Sequence, residues 1–187
     1  KCSSCLSNLS EIVIDPENPS YKVVDNVLYS KDGSILYVYA AGKEDTTFDI
    51  PETVKEVRDY AFAYAVNLQT VTLNHQLEYL GNNVFQNSGI NSFDFTPYWG
   101  DKIPEYMFAY TNNLETVTIH EYIHEIQRNC FYRSSVESVI FKGENMNYYR
   151  NANNINGNDQ NNYLTLPLIC LYLLQCKIYN KSSYLYY

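Results

Sequence analysis

Two short motifs in this chain carry residue types that could do chemistry. His120-Glu121-Tyr122-Ile123-His124 satisfies HExxH, the pattern in which two histidines four apart on a helix bind zinc and the glutamate activates water. Cys2-Ser3-Ser4-Cys5 is a CxxC pair, a spacing shared by zinc sites and redox centres. Both depend on context. HExxH needs a helix, because only the 3.6-residue turn sets both imidazoles on one face. It also needs a third ligand, and the other histidine, His75, lies upstream. The five cysteines, Cys2, Cys5, Cys130, Cys170 and Cys176, are odd in number and irregularly spaced, so they make neither a disulfide framework nor a second half-site for zinc. No GxSxG elbow, glycine-rich phosphate loop or calcium-type Asp cluster occurs in the sequence. The chain therefore reads as non-enzymatic, with no cofactor and no metal, and zinc peptidase chemistry is the remote alternative.

The elements that would position these residues are repeats. Phe62, Phe85, Phe108 and Phe131 stand 23 apart, the signature of a solenoid in which one supersecondary unit recurs and each turn buries its apolar face on its neighbours. Ala61, Val84, Met107 and Cys130 precede these phenylalanines, and Val57, Leu80, Ile103 and Ile126 stand five residues before them. After each Phe comes a strand pattern: Leu68-x-x-Val71-x-Leu73, Ile90-x-x-Phe93-x-Phe95, Leu114-x-x-Val117-x-Ile119 and Val136-x-x-Val139-x-Phe141. Alternation of this kind belongs to a strand with one buried face. Phe48-x-Ile50 and Leu9-x-x-Ile12-x-Ile14 extend the series, so six rungs are expected. They should pair as a parallel sheet on one side of the solenoid. The Ala-Phe corner on the other side has room for one helical or 3₁₀ turn, and Val54-x-x-Val57 could form a second short strand.

In this register Ile119 to Ile126 superimposes on Ile50 to Val57, so His120 falls where another turn has Pro51 and His124 where it has Lys55. The HExxH is thus a strand exit, and His120 and Glu121 are expected to face solvent. The same counting places Val54, Leu77, Trp99 and Ile123 in one column, which makes Trp99, the single tryptophan, a core residue rather than an exposed anchor.

Between the first two rungs 36 residues replace 23. The surplus reads as a hairpin insertion at about 21–40, in which Val27-Leu28-Tyr29 and Ile35 to Tyr39 flank an Asp32-Gly33 turn. After Phe141 the pattern stops. Residues 1–142 are read as the solenoid, 143–162 as an Asn-rich linker that cannot order itself alone, and 163–187 as an apolar tail broken by Pro167. The tail falls short of the ~20 residues a bilayer span requires, leaving a terminal cap, a membrane-associating segment or a truncated end.

The formal charge is −8, with Lys and Arg scattered, so nothing would neutralise a phosphate backbone and nucleic acid is excluded as a partner. No charged segment leads into an apolar run at the N-terminus. The first residue is Lys1 rather than Met, which leaves room for a removed leader or for a fragment. Asn8-Leu9-Ser10 and Asn180-Lys181-Ser182 are glycosylation sequons.

Ile50-Pro51-x-x-Val54-x-x-Val57-x-x-x-Ala61-Phe62, followed by Leu68-x-x-Val71-x-Leu73, resembles the leucine-rich repeats of the BspA-like type found in surface proteins of bacteria and parasitic protists. Asp25-Asn26-Val27-Leu28-Tyr29-Ser30-Lys31-Asp32-Gly33, with Gly42-Lys43 and Ile50-Pro51 after it, is similar to the segment that punctuates those proteins. The family's cysteine column is absent, its positions here being Tyr64, Asn87, Tyr110 and Arg133. The resemblance covers about residues 9 to 142. It implies a solenoid of the leucine-rich-repeat type: a right-handed, β-dominated α/β horseshoe with a parallel sheet on one side and a short helical or 3₁₀ turn per repeat on the other. More loosely, it implies attachment or recognition at a cell surface or outside the cell. The partner would be a protein or a glycan; an intracellular scaffold of the same architecture is the alternative.

On such a solenoid the candidate binding residues lie on the outward row of the sheet. Strand alternation turns outward the residue between the two inward apolars of each rung: Val13, Asp49, Thr72, Asp94, Thr118 and Ile140. Thr70, Ser92 and Thr116 flank them. Asp49, Thr70, Thr72, Ser92, Asp94, Thr116 and Thr118 form the hydroxyl and carboxylate centre of the row, suited to directional hydrogen bonds, although Thr and Ser are also ordinary soluble strand formers.

Overall fold

A computed structural model of the chain describes residues 7–120, 122–123, 125–142, 149–150 and 163–164. It is a solenoid of about five turns. The strands are β1 (Tyr21–Val24), β2 (Val27–Ser30), β3 (Ile35–Tyr39), β4 (Thr47–Asp49), β5 (Glu56–Val57), β6 (Thr70–Thr72), β7 (Tyr79–Leu80), β8 (Ser92–Asp94), β9 (Lys102–Ile103), β10 (Thr116–His120), β11 (Glu125–Ile126), β12 (Ser138–Lys142), β13 (Tyr149–Arg150) and β14 (Tyr163–Leu164).

The expected rungs form parallel ladders, β4 with β6 and β8 with β10 with β12. Partners such as Asp49 with Thr72 and Thr118 with Asp94 stand side by side. Between β6 and β8 the ladder is interrupted, and the Asn91 N–H donates to the Gln69 carbonyl at 3.0 Å there. A second parallel ladder occupies the next side of each turn, β3 with β5 with β7 and β9 with β11. The Val54-x-x-Val57 stretch supplies its strand β5, as its spacing suggests.

The hairpin lies where the Asp-Gly signal puts it. β2 and β3 pair antiparallel around the turn, Gly33 has φ 84°, and the Asp32 carboxylate accepts the Ser30 hydroxyl at 2.6 Å and the Ser34 N–H at 3.0 Å. These bonds, the Ser30 hydroxyl first, pull the Asp32 carboxyl down to about 2. β1 adds a further antiparallel strand through Asp25-Asn26, whose φ values of 48° and 56° are those of a hairpin-closing I′ turn. Through β3 the insertion supplies the first strand of the second ladder. Lys43, almost fully buried, fastens it: its Nζ donates to Asp25 Oδ2 at 2.6 Å and lies 3.1 Å from Asp45 Oδ2.

Two expectations are corrected here. The segment with Leu9, Ile12 and Ile14 forms no strand, so the described rungs number five rather than six. Its bonds go to the insertion and the residues just after it instead, Leu9 O accepting the Gly42 N–H at 2.7 Å and Ile12 N–H donating to Asn26 Oδ1 at 3.2 Å. The Ala-Phe corner is not helical either. Tyr60, Asn83, Tyr106 and Asn129, two residues before each Phe, and Tyr64, Asn87, Tyr110 and Arg133, two after, have φ between 53° and 66°. Left-handed residues interrupt a right-handed helical run. They turn alternate N–H groups toward the next turn, so that Tyr60, Phe62 and Tyr64 donate to the carbonyls of Asn82, Val84 and Gln86 at 3.1, 3.0 and 2.9 Å. The positions that resemble the family's cysteine column are thus backbone corners.

Inside, the phenylalanines stack. Phe62 to Phe85, Phe85 to Phe108 and Phe108 to Phe131 are 5.2, 5.8 and 5.7 Å apart between centroids, at 20°, 8° and 4° between planes. Tyr39, itself 23 residues before Phe62, heads the column at 5.4 Å. Each ring is fully buried, which contributes about 1.5–3 kcal/mol per side chain.

Trp99 is not in the core. It is 70 % exposed, and Tyr98 is buried in its place. The reason is one extra residue. Phe95 to Ile103 spans 8 positions, where Leu73 to Leu80 and Ile119 to Ile126 span 7, and the exit turn closes one residue early, Tyr98 N–H on Phe95 O at 2.9 Å. The surplus residue, Trp99, is extruded.

The expected linker and tail lie largely outside the described residues. Within them β13 pairs antiparallel with β14, Tyr149 opposite Leu164 and Arg150 opposite Tyr163. Among the described residues no helix is long and apolar enough to cross a membrane.

Candidate binding surface

The outward row stands as strand alternation requires. Asp49, Thr70, Thr72, Ser92 and Asp94 are exposed, while Thr116 and Thr118 on β10 are half-buried between neighbouring strands. Val13 is exposed but belongs to no strand, and Ile140 closes the row as an exposed aliphatic on β12. The parallel register brings Ser92 beside Thr116 and Asp94 beside Thr118. Thr70 and Thr72 sit on the neighbouring β4–β6 ladder with Asp49.

Asp94 is held by hydrogen bonds and an ion pair. Its Oδ1 accepts the Thr96 N–H at 2.8 Å and the Thr96 hydroxyl at 2.5 Å, and Lys142 Nζ reaches its Oδ2 at 3.6 Å across β10. Partial burial pushes the carboxyl up, but the two Thr96 hydrogen bonds and the Lys142 ammonium outweigh it and hold it below its ordinary value. Directional acceptors and hydroxyls, fixed in place at strand spacing, can hydrogen-bond a polar partner; none is arranged as a nucleophile with its base.

The HExxH segment is a strand exit. His120 is the last residue of β10 and pairs with Lys142; Glu121 and His124 lie outside the described residues. The expectation that His120 faces solvent is corrected: it is only 7 % exposed. Its Nδ1 accepts the Tyr122 N–H at 3.0 Å, and its ring lies 5.6 Å from that of Tyr122. Two turns earlier the equivalent residue, Asn74, is also buried, and its Oδ1 accepts the Gln76 N–H at 2.7 Å. His120 therefore imitates an Asx turn, its imidazole nitrogen standing where an amide oxygen caps the same bend. The signal was in the sequence, as Asn74 and His120 share a column, but it is a signal for a turn and not for zinc. His75 is exposed on an upstream turn, and among the described residues no group of three or more His, Cys, Asp or Glu is placed to hold a metal ion. Cys130 is buried beside Phe131, and Cys2, Cys5, Cys170 and Cys176 lie outside the described residues.

The family model for the BspA type leucine-rich repeat region matches residues 37–156 in six copies. The chain belongs to this family. Its repeat fold is that of a protein-interaction module, and the family is typically non-enzymatic. Among solved structures, a leucine-rich repeat protein from Eubacterium ventriosum is similar at 24% identity with a TM-score of 0.57, covering 72% of this chain and 43% of its own. A leucine-rich cell surface protein from Faecalibacterium prausnitzii gives 24% identity and a TM-score of 0.59, covering 67% of this chain and 40% of its own. The pneumococcal vaccine antigen PcpA gives 20% identity and a TM-score of 0.51, covering 74% and 41%. These likenesses show the fold, and the chain spans about two fifths of the length of each of these three neighbours. No curated protein gives a significant match.

Proposed function

We propose that this BspA-type solenoid is a non-enzymatic module that acts at a cell surface or outside the cell, where it holds a protein or glycan through the outward row of its parallel sheet. The observation that carries this reading is the row itself: Asp49, Thr70, Thr72, Ser92, Asp94, Thr116 and Thr118 project from paired strands with their hydroxyls and carboxylates toward one side. A surface of this kind gives specificity through hydrogen bonds at fixed spacing rather than through a catalytic pocket. The surface-protein description of the Faecalibacterium neighbour supports the location.

The test has two arms. Antibody staining of the tagged protein on intact and permeabilised cells should label intact cells; labelling only after permeabilisation would make it an intracellular scaffold. The Thr72→Arg, Thr118→Arg double variant adds bulk and charge across the row and leaves the core columns intact. It should lose attachment to partner-bearing cells while keeping the parent circular dichroism and melt, and undiminished attachment would remove the row from the binding site.

A further inference from the structure

The loop that leads from the Ala-Phe corner into the sheet is not of constant length. Phe85 to Ile90 spans 5 positions, where Phe62 to Leu68 on the turn before and Phe108 to Leu114 on the turn after span 6. The short loop, with Ser88 and Gly89 buried, is therefore recessed between the exposed Val66-Asn67 and Asn112-Asn113 of its neighbours. Gly89 allows it to lie so low, since a Cβ there would collide with the Val66 carbonyl. The result is a notch made of two continuous recesses, of about 400 and 510 Å³, which share Gly89, Asn112 and Asn113, and each is large enough for part of a ligand.

A buried hydroxyl marks the notch as a place for a partner. Ser88 lines the smaller recess and is 5 % exposed, yet its Oγ has no hydrogen-bond partner among the described residues. In the same column on the next two turns, Thr111 Oγ1 donates to Phe108 O at 2.6 Å and Ser134 Oγ to Phe131 O at 3.0 Å. Buried hydroxyls are ordinarily bonded; this one is left with a donor that a turn about its Cα–Cβ bond could offer to a ligand carbonyl.

The rest of the lining selects the ligand. The larger recess runs along the entry of the strands, where Gln69, Asn91, Glu115 and Glu137 immediately precede β6, β8, β10 and β12. Neighbouring strands lie about 4.8 Å apart, so these turns together extend about 14 Å, the length of about four extended residues. A carboxamide carries the same donor and acceptor as a peptide group, so Asn91, Asn112 and Asn113 can bond a backbone N–H and C=O. Among the described residues neither Glu115 nor Glu137 is in an ion pair, and their chain segments are adjacent, the Glu137 N–H donating to Glu115 O at 2.8 Å. Two uncompensated carboxylates call for a cation, which a neutral sugar lacks, and the net charge of −8 attracts a basic partner.

We infer that the notch over Gly89 is a docking groove for an extended basic peptide segment of another protein, its backbone bonded by Asn91, Asn112 and Asn113 and its Lys or Arg side chains paired with Glu115 and Glu137. This deepens the proposed interaction function and rests on it.

The purified full chain should be titrated at low salt, where exposed charges are least screened, with dye-labelled octapeptides of alternating Ser and Lys, Ser and Gln, or Ser and Glu, read by fluorescence anisotropy. The lysine peptide should bind saturably, the glutamine peptide at least tenfold more weakly and the glutamate peptide not at all. Glu115→Gln with Glu137→Gln should weaken the lysine peptide at least tenfold, and Asn112→Ala with Asn113→Ala several-fold, with melts equal to the parent's because all four residues are exposed. Glu17→Gln with Glu52→Gln removes the same charge from exposed positions elsewhere and should bind as the parent does. No saturable response to the lysine peptide, unchanged affinity in either groove variant, or an equal loss in the Glu17 and Glu52 control overturns the inference. A neutral hexasaccharide of β-linked N-acetylglucosamine should not compete; competition would make the groove a glycan site and overturn the peptide reading. If the parent protein attaches to cells through the outward row while the lysine peptide gives no response, the interaction module stands and the groove falls.

Discussion

Tyr98 folds its ring beneath Gly100, so closely that a Cβ added to Gly100 would collide with the ring's Cζ and hydroxyl. The ring cannot move aside, since it is buried in the packed column. Gly100→Ala should therefore destabilise the solenoid by about 1–3 kcal/mol, the range for forcing extra volume into a packed site. A urea midpoint equal to the parent's would show that Tyr98 does not hold the column that Trp99 vacates.

The Phe stack should behave as a spine. Phe108→Ala removes a ring held between Phe85 and Phe131 and should cost about 3–5 kcal/mol, because its neighbours cannot close the cavity. In a one-dimensional stack the loss should extend to both adjacent turns, read as faster amide exchange in β8 and β12. Exchange unaltered in both strands would mean that the turns are held by their ladders alone.

His120 separates a turn role from a metal role. His120→Asn keeps an acceptor for the Tyr122 N–H, as Asn74 does for Gln76, and should melt close to the parent. His120→Ala should lose about 1 kcal/mol, the typical net value of one hydrogen bond. Neither change should alter zinc content, which is expected below about 0.1 per chain. A stoichiometric zinc ion lost together with peptidase activity in Glu121→Gln would restore the enzymatic reading.

Alkali should unfold the protein early. Burial pushes the Tyr29 and Tyr98 hydroxyls up to about 12 and raises Tyr39 as well, with the Asp45 and Asp25 carboxylates adding to burial. A phenol whose pKa is raised on folding contributes stability that is complete below the unfolded value of about 10 and is lost as the pH climbs through the folded value. The melting temperature should fall between about pH 10 and pH 12, and Tyr98→Phe should flatten that fall. An identical alkaline profile in the variant would show that Tyr98 ionises as freely folded as unfolded.

A period of 23 residues, written in Phe62, Phe85, Phe108 and Phe131, was enough by itself to give the solenoid, its core columns and the outward side of the strands. Repeated burial against identical neighbours leaves a mark at every turn, and strand alternation then decides which side chains face out. Asp32-Gly33 likewise announced its hairpin, because the backbone conformation of that turn is a local property. What only the tertiary structure decided are departures from the period. One extra residue between Phe95 and Ile103 could be absorbed at any position of the loop. It was the fit of the Tyr98 ring under Gly100 that sent Trp99 outward. The left-handed residues at Tyr60 and Tyr64 are equally invisible locally, since neither is a residue that prefers that conformation. They are held there by the hydrogen bonds their N–H groups make to Asn82 and Gln86 on the next turn, and such bonds exist only once one turn lies upon another.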